Sequence, residues 1–330
     1  MRRDIVRILL RPFDRRPTEA PSSRVATRDD IYYCYRLLLN RQPDAEGWRF
    51  YTDLVDKAEL SVERLVGSFV DSHEYRTRRR EEHRTLPILI DGVTLHVRAD
   101  DREVGGGLAE SREYEPHVTS ELKQVLRDGL VFVDIGANVG YFTMLAASLV
   151  GAAGKVVAFE LNPDNCALIR LSVEANGFRN VVLHPFAVGD TEQKFALDIT
   201  GSNGALREER RTGDVVVHSI VLDVCLADEP RIDVIKIHIE GFEGRALRGM
   251  VRTIVRHRPV LFTEFSLNDL VRRSLIDPLA YLTQVAEFGY DLFLLPMGSR
   301  RGPVPHTPAE IVQAYSRART SHLDVVAYPR

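Results

Sequence analysis

The residues best suited to chemistry lie in VFVDIGANVGYFT, residues 131–143. An apolar run leads to Asp134, and Gly136, Asn138 and Gly140 then alternate into a helical pattern. Glycine enters the left-handed backbone region freely and lets a ligand approach the main chain; asparagine is the next most tolerant residue. A dinucleotide loop needs G-x-G-x-x-G so that a pyrophosphate can rest on a helix N-terminus. Here that spacing is absent, and Asp134 would repel a pyrophosphate but suit an ammonium group. Twenty residues beyond Gly140, FELNP closes a second apolar run at Glu160. A carboxylate at that place can accept both hydroxyls of a ribose. An ammonium partner, a ribose partner and a loop without a phosphate site together describe S-adenosylmethionine (SAM) as the expected cofactor. The plainer alternative is a glycine-rich turn with an incidental acid, but loop, acid and spacing agree.

A second constellation lies in IDVIKIHIEGFE, residues 232–243. Strand alternation places Val234, Lys236, His238 and Glu240 on one face, and Ile235, Ile237 and Ile239 on the other. Ionisable groups on a buried strand are costly unless paired. A hydroxyl has a pKa far above neutrality, so its methylation benefits from a base that takes the proton as the new bond forms. His238 has a suitable ordinary pKa; Glu240 can act as the base, orient His238 or hold the acceptor hydroxyl. Glu264, in TEF on the following apolar run, is a further candidate for the same pocket. The structural alternative is a Lys236–Glu240 pair with His238 filling the space between.

Seven short apolar runs, NVVLHPFAVGD among them, alternate with helical patterns from residue 86 onward and must position these groups. The pattern predicts a doubly wound, mostly parallel α/β sheet, which binds ligands beyond the carboxyl ends of its strands. PILIDGVTLHVRA (87–99) reads as a hairpin turning at Asp91-Gly92. Helices are expected at 141–150, from Asn162-Pro163 to Asn176-Gly177, and after the Thr307–Glu310 capping box. Residues 27–84 form a separate unit of short helices capped by Thr27, Asp44 and Ser61, with a charged linker at 76–84. Trp48 and the tyrosines are expected in its core. Residues 1–26 read as a basic tail, since residues 1–28 hold eight arginines against Asp4, Asp14 and Glu19.

The whole chain has 330 residues, 44% hydrophobic and 28% charged, with a net charge of −3. This excludes disorder and a global attraction to nucleic acid. Cys34, Cys166 and Cys225 form no CxxC pair, which argues against a disulfide framework or a zinc site. No apolar run approaches the roughly 18 residues of a membrane span. The reading is cytoplasmic, with at most peripheral membrane contact through the basic tail.

In order along residues 85–330, DIGANVGYFT, FELNP, NGFRNVVLHPFAVGD, VLDV, IDVIKIHIEGFE and PVLFTEF resemble the FkbM-type SAM-dependent methyltransferases. SREYEPHV (111–118) resembles that family's Tyr-Glu-Pro element. The resemblance implies a Rossmann-like class I methyltransferase fold with a seven-stranded sheet, preceded here by the small helical domain. It also implies methyl transfer to a hydroxyl of a saccharide, glycoconjugate or polyketide-like acceptor. Asp134, Gly136, Asn138, Gly140, Glu160, Glu115 and Ala187 would line the SAM site. His238, Glu240, Lys236 and Glu264 would form the catalytic end, and no metal is expected. The family usually has Asp where this chain has His238, which changes the base or weakens any hold on a divalent cation. YRLLLNRQPDAEGWRFY (35–51) and SFVDSHEY (68–75) resemble a short helical domain of unknown function in bacterial surface-associated and glycan-modifying proteins.

Arg207, Arg210 and Arg211, within TGSNGALREERRTGD (200–214), are candidates for a phosphate on a lipid- or nucleotide-linked acceptor. The competing functions are a SAM-fold binding or scaffold protein without turnover, and a nicotinamide oxidoreductase, disfavoured by the loop.

Overall fold

The computed structural model describes residues 24–39, 41–58, 60–75, 85–200, 203–207, 215–297, 301–302, 304–318 and 320–330. They fall into two compact units that meet in sequence at Arg84 and Thr85. The basic segment 1–23 and the charged run 76–84 lie outside the described residues.

The first unit holds α1 (Arg28–Leu38), α2 (Ala45–Ala58) and α3 (Val62–Val70). Thr27 and Asp30 form a reciprocal capping box on α1, the Gly47 amide donates to Asp44 at 2.7 Å, and the Arg64 amide donates to Ser61 at 3.3 Å. Each cap satisfies an amide that the helix leaves without a partner. Ile31, Tyr35, Leu65 and Phe69 form the buried centre, with Tyr51 stacked on Phe69 at 4.4 Å and Trp48 packed against the cluster. Val70, at the end of α3, is 38% exposed. Residues 24–26 do not behave as tail: the Ala26 amide donates to Leu60 O at 2.7 Å and the Val62 amide to Arg24 O at 2.9 Å. These main-chain bonds make them part of the helical unit.

The second unit opens with a hairpin, β1 (Thr85–Ile90) and β2 (Val93–Arg98). Asp91 and Gly92 both have positive φ, 49° and 81°, as a two-residue hairpin turn requires. The main sheet comprises β3 (Val131–Ile135), β4 (Lys155–Phe159), β5 (Val181–His184), β10 (Val234–Ile237), β11 (Val260–Phe265), β12 (Tyr290–Leu295) and β13 (Leu323–Pro329). Their order is β12-β13-β11-β10-β3-β4-β5, and β13 alone runs opposite to the other six strands. This is the class I methyltransferase arrangement. Apolar clusters pack both faces of the sheet. The chain order reverses between β3 and β10, so a crevice opens beyond their carboxyl ends.

Two segments depart from expectation. The run NVVLHPFAVGD is not one strand: it divides at Pro185 into β5 and β6 (Ala187–Gly189), and β6 leaves the main sheet. Proline cannot donate to a ladder, so a break there is natural. With β7 (Lys194–Thr200), β8 (Asn203–Arg207) and β9 (Val215–Val221), β6 builds a separate four-stranded sheet. Likewise β10 ends at Ile237 rather than running to Glu240, which stands in a turn with φ 54°. Among the described residues no helix is long and apolar enough to cross a membrane.

Every described residue lining the cavity in this crevice lies at or beyond Glu103. A fragment starting at Thr85 is therefore expected to retain cofactor affinity. Titration calorimetry on the fragment and the full chain checks this; lost binding in the fragment would mean that the helical unit completes the site.

Candidate active site

The crevice holds a cavity of about 360 Å³, within the size range of small-molecule sites. Its first half is built by the turn after β3. Gly136 and Ala137 both donate their amides to Phe159 O at 3.0 Å, tying the loop to the end of β4. Gly136 has φ 83°, and a Cβ there would lie 2.0 Å from His238 O. Only glycine fits where the cofactor loop crosses the end of β10. Asn138, also left-handed at φ 51°, donates its amide to Glu160 Oε2 at 2.7 Å and its side-chain amide to Asn203 Oδ1 at 3.0 Å. The β8 residues Asn203, Gly204 and Leu206 close that side of the cavity, with Phe186, Ala187 and Val188 beside them.

Glu160 is buried and lines the cavity. Its Oε1 accepts from the Asn162 amide at 2.8 Å and from Asn165 Nδ2 at 3.3 Å. A carboxylate offers about four lone-pair sites. Three are already used, so one ribose hydroxyl fits directly and the second only by displacing the long Asn165 contact. Burial pushes the Glu160 carboxyl up to about 7, against the pull of its amide donors. Because a ribose hydroxyl donates best to the ionised form, cofactor affinity should rise with pH through this value. From pH 6 to pH 8 the gain expected is about tenfold. In Glu160→Gln the curve should be flat; S-adenosylhomocysteine (SAH) titrations across that range decide it, and a flat curve for the parent would contradict the assignment.

Two expected cofactor residues stand elsewhere. Asp134 is fully buried beneath the loop and does not line the cavity. Its Oδ2 accepts the Thr143 hydroxyl at 2.7 Å, and Oδ1 lies 3.8 Å from Lys236 Nζ, its register partner on β10. Its cation is thus a lysine of the protein, not a cofactor ammonium. Burial raises its carboxyl above the usual range, and Lys236 and Thr143 oppose that rise. Gly140, at φ 93°, also lies outside the lining; its missing Cβ admits Ile169, with 2.8 Å to Cγ1.

The reacting half brings together residues far apart in sequence. Glu115, at φ 39°, heads the helix Pro116–Val125 and places Oε1 3.5 Å from His238 Nδ1. Glu264 Oε2 stands 3.1 Å from His238 Nε2, too misaligned for a hydrogen bond. Beyond it, His322 Nδ1 is 3.6 Å from Glu264 Oε1 and His322 Nε2 is 3.9 Å from Asp324 Oδ2, which also meets His117 Nε2 at 2.7 Å. The β11–β13 register sets Glu264 opposite Asp324. Burial, with Lys236 nearby, holds His238 down to about 3, so the ring is neutral at physiological pH. With a carboxyl group at each ring nitrogen, His238 is not free to take a proton from an acceptor. Glu240 lines the cavity from its turn, which the buried Glu243 holds by accepting the Ile239 amide at 2.8 Å. The alternation that put Glu240 beside Lys236 ends with the strand. Lys236 instead pairs with Asp134 and lies 4.7 Å above the Phe142 ring.

Sequence reasoning missed Tyr114, Asn203, His322 and Asp324. For the last two the signal was present: HLDVVAY places them at alternate positions where a strand begins. Arg207 is paired with Asp198 across β7 and β8 at 3.1 Å, and Arg210 and Arg211 lie outside the described residues. Among the described residues no set of three or more His, Cys, Asp or Glu side chains is arranged to hold a metal ion.

Parts of the chain are similar to several known methyltransferases. A 69-residue stretch is 39% identical to a probable cobalt-precorrin-6B C(15)-methyltransferase (decarboxylating) of Sulfurisphaera tokodaii, covering 21% of this chain and 36% of that relative's length. The chain thus spans about a third of that curated relative. Among solved structures, the methyltransferase FkbM of Methylobacillus flagellatus KT is 16% identical with a TM-score of 0.41, over 89% of this chain and 58% of that one. The precorrin-6y C5,15-methyltransferase of Geobacter metallireducens GS-15 is also 16% identical, with a TM-score of 0.39, over 71% and 94%. These structural likenesses are distant, and the sheet order stands without them. Residues 134–292, from the cofactor loop to β12, match the family described as the methyltransferase FkbM domain.

Proposed function

We propose that the protein transfers a methyl group from SAM to a hydroxyl of a saccharide or glycoconjugate. One observation carries this reading: a single cavity is lined both by the cofactor loop with Glu160 and by Glu240, Glu264 and His238. The donor set suits SAM, because Glu160 lines the cavity and keeps an acceptor site for a ribose hydroxyl. Bound SAM supplies a methyl carbon on a sulfonium, open to in-line attack as the C–S electron pair returns to sulfur.

The chain's own groups do the rest. Glu240 takes the hydroxyl proton as the oxygen attacks. His238, neutral and held between Glu115 and Glu264, positions those two carboxyl groups. Lys236 neutralises Asp134 beneath the loop and so fixes the end of β3 against β10. Phe142, Tyr114 and Phe242 line the cavity walls and help to exclude water. Positioning of two reactants in one site accounts for much of the rate expected of such an enzyme.

The test is a screen with radiolabelled methyl-SAM against free sugars and cell-envelope extracts. Label that appears in a saccharide and survives mild base as an ether supports the reading. Label found only on nitrogen, or none above a Glu240→Gln control, would contradict it.

A further inference from the structure

We propose that the acceptor presents an ammonium group beside its reactive hydroxyl, as an amino sugar does, and that Glu264 and Glu240 receive it. This deepens the methyltransferase reading and rests on it. Six carboxylates line the cavity among the described residues: Glu103, Glu115, Glu160, Glu240, Glu264 and Asp269. Against them stand Lys236, His238 and His322, and no arginine. Lys236 is committed to Asp134 and the Phe142 ring, His238 lies between two carboxyl groups, and His322 faces Glu264 and Asp324. A phosphate or carboxylate at the acceptor end would therefore meet like charge, with no free cation among the described lining residues to offset it.

The buried oxygens point the same way. Glu264 is only 7% exposed, lines the cavity, and its Oε2 makes no hydrogen bond. Glu115 Oε2 is likewise buried without a partner. Burial and then the neighbouring Glu243, Glu240, Asp324 and Glu115 charges hold the Glu264 carboxyl well above the usual range. SAM carries a single net positive charge, so cofactor binding leaves the acidic side chains more numerous than the cationic groups. An arriving ammonium relieves that mutual repulsion and donates to Glu264 Oε2, which makes no hydrogen bond although it lies 3.1 Å from His238 Nε2. It also lowers the pKa of a hydroxyl on the adjacent carbon, easing the proton transfer to Glu240 while itself staying protonated. No set of side chains arranged for a metal ion competes for this role among the described residues.

The test is calorimetry on the full chain saturated with SAH. The probes are glucosamine, galactosamine and mannosamine, their parent hexoses, glucose 6-phosphate and magnesium chloride. At least one amino sugar should bind ten times more tightly than its parent hexose, weaken with added salt, and outcompete the phosphate. Glu264→Gln should abolish that preference while SAH affinity stays within about twofold; Glu240→Gln serves as the second variant should Glu264→Gln unfold. Equal binding of amine and parent hexose, preference for the phosphate, or a magnesium ion that displaces the amino sugar would each overturn the proposal. A chain that binds no SAH overturns the cofactor reading and this inference with it. SAH binding without an amine preference overturns this inference alone.

Discussion

Glu240→Gln is expected to reduce methyl transfer by about 10²–10⁴-fold, the range for losing a general base, with little change in melting temperature or SAH affinity. The residue projects from a turn outside β10 with φ 54° and lines the cavity without an ion pair among the described residues. Removing its charge breaks no buried pair, so stability should hold. The alternative role, a structural partner of Lys236, predicts a loss of about 3–5 kcal/mol and failure of folding and turnover together. The geometry already argues against that role, since Lys236 is paired with Asp134. Melting curves and single-turnover rates on the same preparation separate the two outcomes. A variant as active as the parent would remove Glu240 from the mechanism.

Gly136→Ala should cost more than any other single methyl added to the cofactor loop. The left-handed backbone alone costs about 1–2 kcal/mol for a residue with a Cβ. The new carbon would also sit 2.0 Å from His238 O and 2.8 Å from Ile239 Cγ2, so the loop or the end of β10 must move. Either shift pulls the Gly136 and Ala137 amides from Phe159 O and misplaces the loop. A melting temperature lower by about 6–12 °C is expected if the total is near 3 kcal/mol, with cofactor binding lost. Gly107→Ala is the control, because nothing lies within 4 Å of its added carbon. Gly136→Ala with parental stability and affinity would mean that the loop does not pack as described.

Much of this was legible in the sequence because it is local. The seven apolar runs, the Asp91-Gly92 hairpin, the helix caps and the loop from Gly136 to Glu160 depend on residues close in the chain. The same periodicity is silent about which neighbour a strand acquires. Lys236 was read against Glu240, two positions from His238, yet its partner is Asp134 on the adjacent strand. Asp134 was read as a cofactor ligand from its place before Gly136, but its side chain turns under the loop toward Thr143. The Glu115–His238–Glu264–His322 cluster joins four separate segments, and only the antiparallel return of β13 delivers His322. The four-stranded sheet was hidden because Pro185 interrupts what looked like one continuous strand.

The central claim is that the cavity at the β3–β10 switch point binds SAM. Titration of the full chain with SAM, SAH and NADH addresses it without knowledge of the acceptor. Single-site binding of SAM and SAH, no heat with NADH, and a weakening of roughly 1.5–3 kcal/mol in Glu160→Ala are predicted, as for a lost hydrogen bond to a charged group. No binding of SAM, or saturable binding of NADH in its place, would contradict the account.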